Sequence, residues 1–200
     1  MATLVAQARL YSPHHLDLKR IGMRMLAVLL AFMCVVPVAA EPAYAASQTL
    51  KVDNNTVGMT SKERKVYKKI KSYKSKSAYR EGKKWTNNNS YFFKGNRYYE
   101  YNGMYFNGGY GCHAFALKMS DLAFGTKAPM KTHRKFAKIR VGDVVRLNEY
   151  KPNMHSVIVL KVVGKKYVVA EANYNGTVHW GRVITQKEFK KTGSYVLTRY

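Results

Sequence analysis

Three β-rich runs follow one another with almost nothing between them: SVIVLKVV (156–163), YVVAEAN (167–173) and TVHWGRVI (177–184). Gly164-Lys165-Lys166 joins the first two and Asn175-Gly176 separates the last two, and both are tight-turn signals. Strands joined this closely must run antiparallel, because a parallel return needs a dozen or more residues. IRVGDVVRL (139–147) carries Gly142-Asp143, a turn or bulge signal, and SYVLTRY (194–200) closes the chain as a further strand. Thr185 with Glu188 forms a capping box ahead of the short segment TQKEFKK. Helical patterns precede this meander, so the expected class is α+β with an antiparallel sheet.

Side-chain parity within the meander brings polar residues together. His155 shares a strand face with Val157 and Val159, while Tyr167, Val169, Glu171 and Asn173 share a face of the next strand. A three-residue loop of Gly164-Lys165-Lys166 pairs Val163 with Tyr167, and counting outward pairs Val159 with Glu171 and Val157 with Asn173. His155, Glu171 and Asn173 then project to one side, with Asn173 the nearer diagonal neighbour of the histidine. A two-residue loop breaks this parity unless a bulge restores it. Glu171 interrupts the apolar run VVAEA and is expected to be partly buried. A half-buried carboxylate needs a cationic or hydrogen-bonding partner, and an imidazole suits that role.

Upstream, GGYGCHAFALKMSDLAFG (108–125) reads as a glycine-rich approach, one cysteine and a helix. Phe115, Met119 and Leu122 fall at i, i+4 and i+7, Ala114 and Leu117 widen that face, and Gly125 stands where a C-terminal cap belongs. Cys112 lies at or just before the first turn. Unpaired N–H groups and the positive dipole end favour thiolate there, which makes Cys112 a candidate nucleophile. The competing reading is a small buried hydrophobe.

The N-terminus bears on that choice. Lys19, Arg20 and Arg24 precede the uncharged run MLAVLLAFMCVVPVAA (25–40), and Ala43-Tyr44-Ala45 offers small residues for cleavage. This order is that of a secretory signal peptide, so residues 1–45 are expected to leave after Ala45, with Met23 and Met25 as alternative starts. The apolar run is short and contains Pro37, so no stable membrane span is expected after cleavage. The chain has two cysteines, and Cys34 departs with the signal. A single thiol outside the cell forms no internal disulfide and is a candidate reactive group. Cys112, His155 and an acid or amide at Glu171 or Asn173 then supply a nucleophile, its base and a group to orient the base.

Residues 46–77 form a basic, partly helical segment, with residues 78–200 as the main domain. Lys62, Arg64, Lys65, Lys68, Lys69, Lys71, Lys74 and Lys76 crowd around one acid, Glu63, and Thr60 with Glu63 matches a capping box. Val66, Tyr67 and Ile70 give the helix a narrow apolar edge. The chain carries a formal net charge of +24, and the first 45 residues hold few of its charges. Such a field attracts polyanions; outside a cell these are teichoic acids, acidic polysaccharide or anionic lipid, and no nucleic acid is expected. A merely solvated basic face is the alternative. Between Trp85 and Tyr110 aromatics alternate with Asn and Gly. Phe92, Phe93 and Phe106 are expected to pack; Tyr98, Tyr99, Tyr101 and Tyr110 either pack or line a cleft. His113 is expected to turn away from the thiol, His133 to sit in a basic loop, and His179 to pack or face solvent. No cluster has metal-ligand spacing, so neither metal nor cofactor is expected.

At these residues the chain resembles the papain-like bacterial wall hydrolases, the CHAP and NlpC-type cysteine amidases and peptidases. The matching pieces are Gly111-Cys112 opening the helix, Val141-Gly142-Asp143-Val144-Val145, His155-Ser156-Val157-Ile158-Val159, and Glu171-Ala172-Asn173, similar to the Glu-x-Asn of CHAP domains. The resemblance spans about residues 108–200. It implies a papain-like fold, its N-terminal helix carrying the cysteine against an antiparallel sheet. It also implies a nucleophile at Cys112, a base at His155 and orienting groups at Glu171 and Asn173. The implied activity is cleavage of amide bonds in peptidoglycan peptides by a secreted or wall-associated monomer. The chain departs from the family in having Gly111 where a glutamine often precedes the nucleophile, and in having no third histidine over 167–171. A catalytically silent wall-binding protein and a transglutaminase-like acyl transferase are the alternatives.

Overall fold

The computed structural model describes residues 48–147 and 154–200; the expected signal segment lies outside them. Helix α1 (Ser61–Ser72) opens on the capping box read from the sequence, with Thr60 and Glu63 each accepting from the other's backbone N–H. Val66, Tyr67 and Ile70 form its buried edge and the lysines turn outward. Two small antiparallel ladders follow. Strands β1 (Ser90–Phe92) and β4 (Gly108–Tyr110) form one, and β2 (Tyr99–Tyr101) and β3 (Met104–Phe106) form the other. The β2–β3 turn is Asn102-Gly103, both at positive φ (51° and 76°). That is the two-residue geometry Asn-Gly adopts most readily.

Helix α2 (Gly111–Phe124) then leads into β5 (Lys131–His133), a 3₁₀ turn at Phe136–Lys138, β6 (Val144–Leu147), β7 (His155–Val163), β8 (Lys166–Tyr174), β9 (Thr177–Thr185), α3 (Gln186–Thr192) and β10 (Gly193–Thr198). Six strands form one sheet in the order β5-β10-β6-β7-β8-β9, and every neighbouring pair is antiparallel. The class is α+β, as the order of patterns implied.

Both faces of this sheet are covered. Ala114, Phe115, Leu117 and Met119 of α2 pack on Val144, Ile158, Leu160, Ala170, Ala172 and Trp180, and the buried edge of α1 joins the same cluster. On the other face Val145, Val157, Val159, Tyr167, Val169, Ile184 and Val196 lie under Phe189 of α3 and Phe136. Burial on both sides explains why β7 and β8 read as apolar runs rather than alternating ones. Helix α2 is buried almost all round, so a single apolar face understates it, and Leu122 on that face is only partly buried. Among the aromatics Phe93 is buried and Phe106 packs against the core, but Phe92 is exposed, contrary to expectation. Among the described residues its strand pairs with β4 alone, and its ring meets Tyr110 at the surface. Tyr99 and Tyr101 are buried, whereas Tyr98 and Tyr110 face solvent.

Two bulges set which side chains meet. The β7–β8 turn has two residues, not three: Val163 pairs with Lys166, and Gly164 takes φ 58°. Parity survives because the register shifts between Val159 and Lys161, which places one extra residue on β7. Leu160 enters the α2-side core, and Lys161 reaches Tyr67 and Asp53. Glu171 therefore opposes Val157, two positions nearer His155 than the three-residue loop implied. The second bulge lies in β9, where Trp180 pairs with Ala170 but Arg182 pairs with Val169. Gly181, at φ 105°, is the extra residue. Strict alternation would put Arg182 on the same face as Trp180; the bulge turns it to the face of Glu171 instead.

A Cβ at Gly181 would stand 2.3 Å from the Leu50 carbonyl oxygen. That backbone cannot withdraw freely, since Leu50 N–H donates to the Gly181 carbonyl at 2.9 Å and Val183 N–H to Gln48. Gly181→Ala is expected to lower stability by about 2 kcal/mol, from a strained φ plus the clash. Urea unfolding measures it.

Candidate active site

Cys112 is the second residue of α2, and two hydrogen bonds fix how the chain arrives there. Gly111 N–H donates to the Asn89 carbonyl at 2.8 Å, and the Trp85 indole donates to the Gly111 carbonyl at 2.9 Å. The Trp85 ring in turn packs edge-on against Phe115, one turn into the helix. Gly111 takes φ 54°, and a side chain there would stand 2.4 Å from Asn87 Oδ1 and 3.0 Å from Asn173 Nδ2. The glycine before the thiol is thus required by an amide pair, Asn173 Nδ2 donating to Asn87 Oδ1 at 2.7 Å.

The thiol lies beside His155, the first residue of β7, close enough for each to favour the other's charged form. His155 Nε2 lies 2.6 Å from Glu171 Oε2, which leaves Nδ1 for the sulfur. Glu171 is fully buried, and Arg182 grips it from the far side, Nε to Oε1 and Nη2 to Oε2, both at 2.6 Å. The row is thiol, imidazole, carboxylate and guanidinium. With the first pair ionised its charges alternate, so every neighbour attracts.

The acid–base properties follow from that row. Burial opposes ionisation of the Cys112 thiol, but the His155 hydrogen bond and charge, the Arg146 charge and the Ser156 backbone together hold its pKa below the ordinary thiol range. Burial likewise works against a charged imidazole, yet the bonds to Cys112 and Glu171 push His155 up to about 9. Glu171 is opposed by burial too, and His155 with Arg182 draws it down to about 2. The three groups titrate together, and their mutual attraction shifts Cys112 and His155 toward the thiolate–imidazolium form.

Of the residues the sequence singled out, Cys112, His155 and Glu171 meet. Asn173 does not bond the histidine. It stands at φ 59°, at a register shift between Ala172 and Tyr174, and its amide turns to Asn87 over Gly111. His113 does turn away from the thiol. It is buried between the Tyr99 hydroxyl (2.7 Å) and Ser156 Oγ (3.0 Å), and burial keeps it neutral, down to about 3. His179 bonds Glu81 and Thr177. Among the described residues no group of His, Cys, Asp and Glu is arranged to hold a metal. Sequence reading missed Arg182 and Asn87. Gly181 within an otherwise regular strand was the signal for the first; the Asn-rich turn gave no comparable signal for the second.

No protein-family model matches the chain, and no curated protein matches it. Among solved structures it overlaps a crystal structure of Ly7917 at 21% identity and TM-score 0.29. It overlaps Ly7917 with the hydrolyzing product of MDP at 20% and 0.31. Each overlap covers 35% of this chain and 31% of the other, so this chain matches under a third of its neighbour's length. Scores of that size carry nothing about this chain's fold or chemistry.

Arg182→Met is expected to cost about 3–5 kcal/mol by leaving a buried carboxylate underpaired, with Arg182→Lys costing less. The folded-state pKa of Glu171 lies below its ordinary value, so its contribution is full above the ordinary carboxylate pKa and is lost as pH falls toward 2. In Arg182→Met that acid loss begins at higher pH. Urea unfolding as a function of pH measures both effects.

Proposed function

We propose that the protein is a secreted, papain-like cysteine amidase or endopeptidase acting on peptide amide bonds of peptidoglycan. The observation that supports this best is the thiol of Cys112 at a helix start, beside an imidazole whose Nε2 meets a buried, arginine-held carboxylate. Ion-paired thiolates attack carbonyl carbon directly, and the neighbouring imidazolium is placed to protonate the leaving group.

The chemistry runs in two halves. The Cys112 thiolate adds to the scissile carbonyl, and the oxyanion meets backbone N–H groups at the start of α2. The imidazolium gives its proton to the departing amine, the C–N bond breaks and a thioester remains on Cys112. Neutral His155 then takes a proton from water, whose oxygen attacks the thioester. The C–S bond breaks, the acid product leaves and the thiolate–imidazolium pair returns. Glu171 stabilises the imidazolium in both halves and fixes the ring, and Arg182 holds Glu171.

The sequence adds the setting. A signal-like N-terminus sends the chain out of the cell, and exposed Lys62, Lys65, Lys68 and Lys69 on α1 present cations to anionic wall polymers. The substrate is itself a wall component, so this face concentrates the enzyme where its amide bonds are. The protein works as a monomer in this reading.

Purified peptidoglycan incubated with the protein is expected to release new amino groups and soluble fragments, and Cys112→Ala to lower that rate at least about 1000-fold. Equal release by both proteins would leave a silent wall-binding scaffold. Isopeptide product formed with an added amine would place the chain among acyl transferases.

A further inference from the structure

Arg146 is a cation next to the nucleophile that the hydrolytic steps do not use. It sits on β6 opposite Ser156, and its neighbour Leu147 opposes His155. Its guanidinium donates from Nη1 to Ser156 Oγ at 2.9 Å and rests Nη2 on the Met154 sulfur at 3.5 Å. The carbonyl oxygen of the same Met154 lies 3.8 Å from the Cys112 sulfur. Arginine, methionine and nucleophile thus form one cluster at the start of β7. The positive charge is close enough to draw the thiol pKa down.

Among the described residues, every other buried or half-buried arginine has its carboxylate. Arg182 has Glu171, and Arg97 and Arg199 share Asp121. Among the described residues no carboxylate pairs with Arg146. Its two contacts are a hydroxyl and a thioether, both neutral, and they hold the fork without neutralising it. Three of its five N–H groups have no protein acceptor among these contacts. Arg146 is only half-buried, and Met154 beside it is exposed, so the cluster opens to solvent. A planar fork with spare donors fits a carboxylate in bidentate fashion better than any other common group.

We propose that Arg146 is a specificity residue that binds a free carboxylate carried by the substrate next to its scissile amide, so that acidic peptides are the preferred substrates. This rests on the hydrolase reading for its biological meaning but not for its test. The carboxylate lies beside the reacting carbonyl, held by Arg146 while Cys112 attacks. The selected class is a peptide with an α-carboxylate or an acidic side chain adjoining the cleaved bond; the corresponding carboxamide binds less well.

The test compares alkylation of Cys112 in the full-length protein by iodoacetate and by iodoacetamide at one pH and ionic strength. In both, the thiolate displaces iodide and a carbon–sulfur bond forms, and only the first reagent carries a carboxylate. Both consume the same thiolate, so the ratio of rates cancels any change in the thiol pKa. Arg146→Gln is expected to lower the iodoacetate-to-iodoacetamide ratio about three- to tenfold. Arg146→Lys keeps most of the ratio, which separates charge from lost packing at Ser156. Lys165→Gln, which removes one charge from the exposed β7–β8 turn, leaves it unchanged. A ratio unmoved in Arg146→Gln, or lowered equally by Lys165→Gln, overturns the proposal. Failure of Cys112→Ala to slow peptidoglycan cleavage would sink the hydrolase reading and leave this ratio as it was.

Discussion

The buried Glu171 carboxylate is the charge on which the rest of the structure depends. It is fully enclosed, and an unpaired carboxylate in that place would cost several kcal/mol. Arg182 and His155 hold it from opposite sides. Both contacts depend on irregularities in the sheet. The register shift near Leu160 sets Glu171 opposite Val157, within diagonal reach of His155, and the bulge at Gly181 turns Arg182 out of the apolar core toward the carboxylate. Regular strands would have left the acid without its arginine. The chemistry of the thiol depends on the same charge, because an imidazolium in this buried place needs a counter-charge behind it as well as the thiolate in front.

The helix supplies the other half of the arrangement. Its start is fixed by Trp85 and Asn89, and Gly111 leaves the backbone close to the Asn87–Asn173 amide pair. Cys112 is thus delivered by hydrogen bonds to the backbone of Gly111 and His155 by sheet register. Arg146 and Met154 lie on the solvent-facing side of that meeting point. Ser156 ties Arg146 to the buried His113, so this half-exposed cation is anchored in the core.

Much of this was legible in the chain. Turn residues and capping boxes located α1, α3 and the hairpins, because those signals act over a few residues. Parity placed His155 and Glu171 on one face, yet for the wrong pairing. The loop is one residue shorter than assumed, and the bulge near Leu160 compensates. Side chain parity survives a paired error of that kind, whereas the identity of the opposing residue does not. Asn173 was assigned toward the histidine on the same count, and its positive φ turns its amide to Asn87. Arg182 was invisible because alternation pointed it the other way. The two-sided burial of the sheet also hid strand polarity, since runs such as VVAEA give no inside or outside.

The central claim is that Cys112 is held as a thiolate by His155 despite its burial. The most direct measurement is the ultraviolet absorbance of the thiolate followed from pH 4 to pH 10, with Cys112→Ser as the blank. The account predicts a midpoint below that of an ordinary thiol, and in His155→Ala a clearly higher midpoint, since only the Arg146 charge and the Ser156 backbone then oppose burial. An ordinary midpoint in the wild type, unmoved by loss of the imidazole, would contradict it.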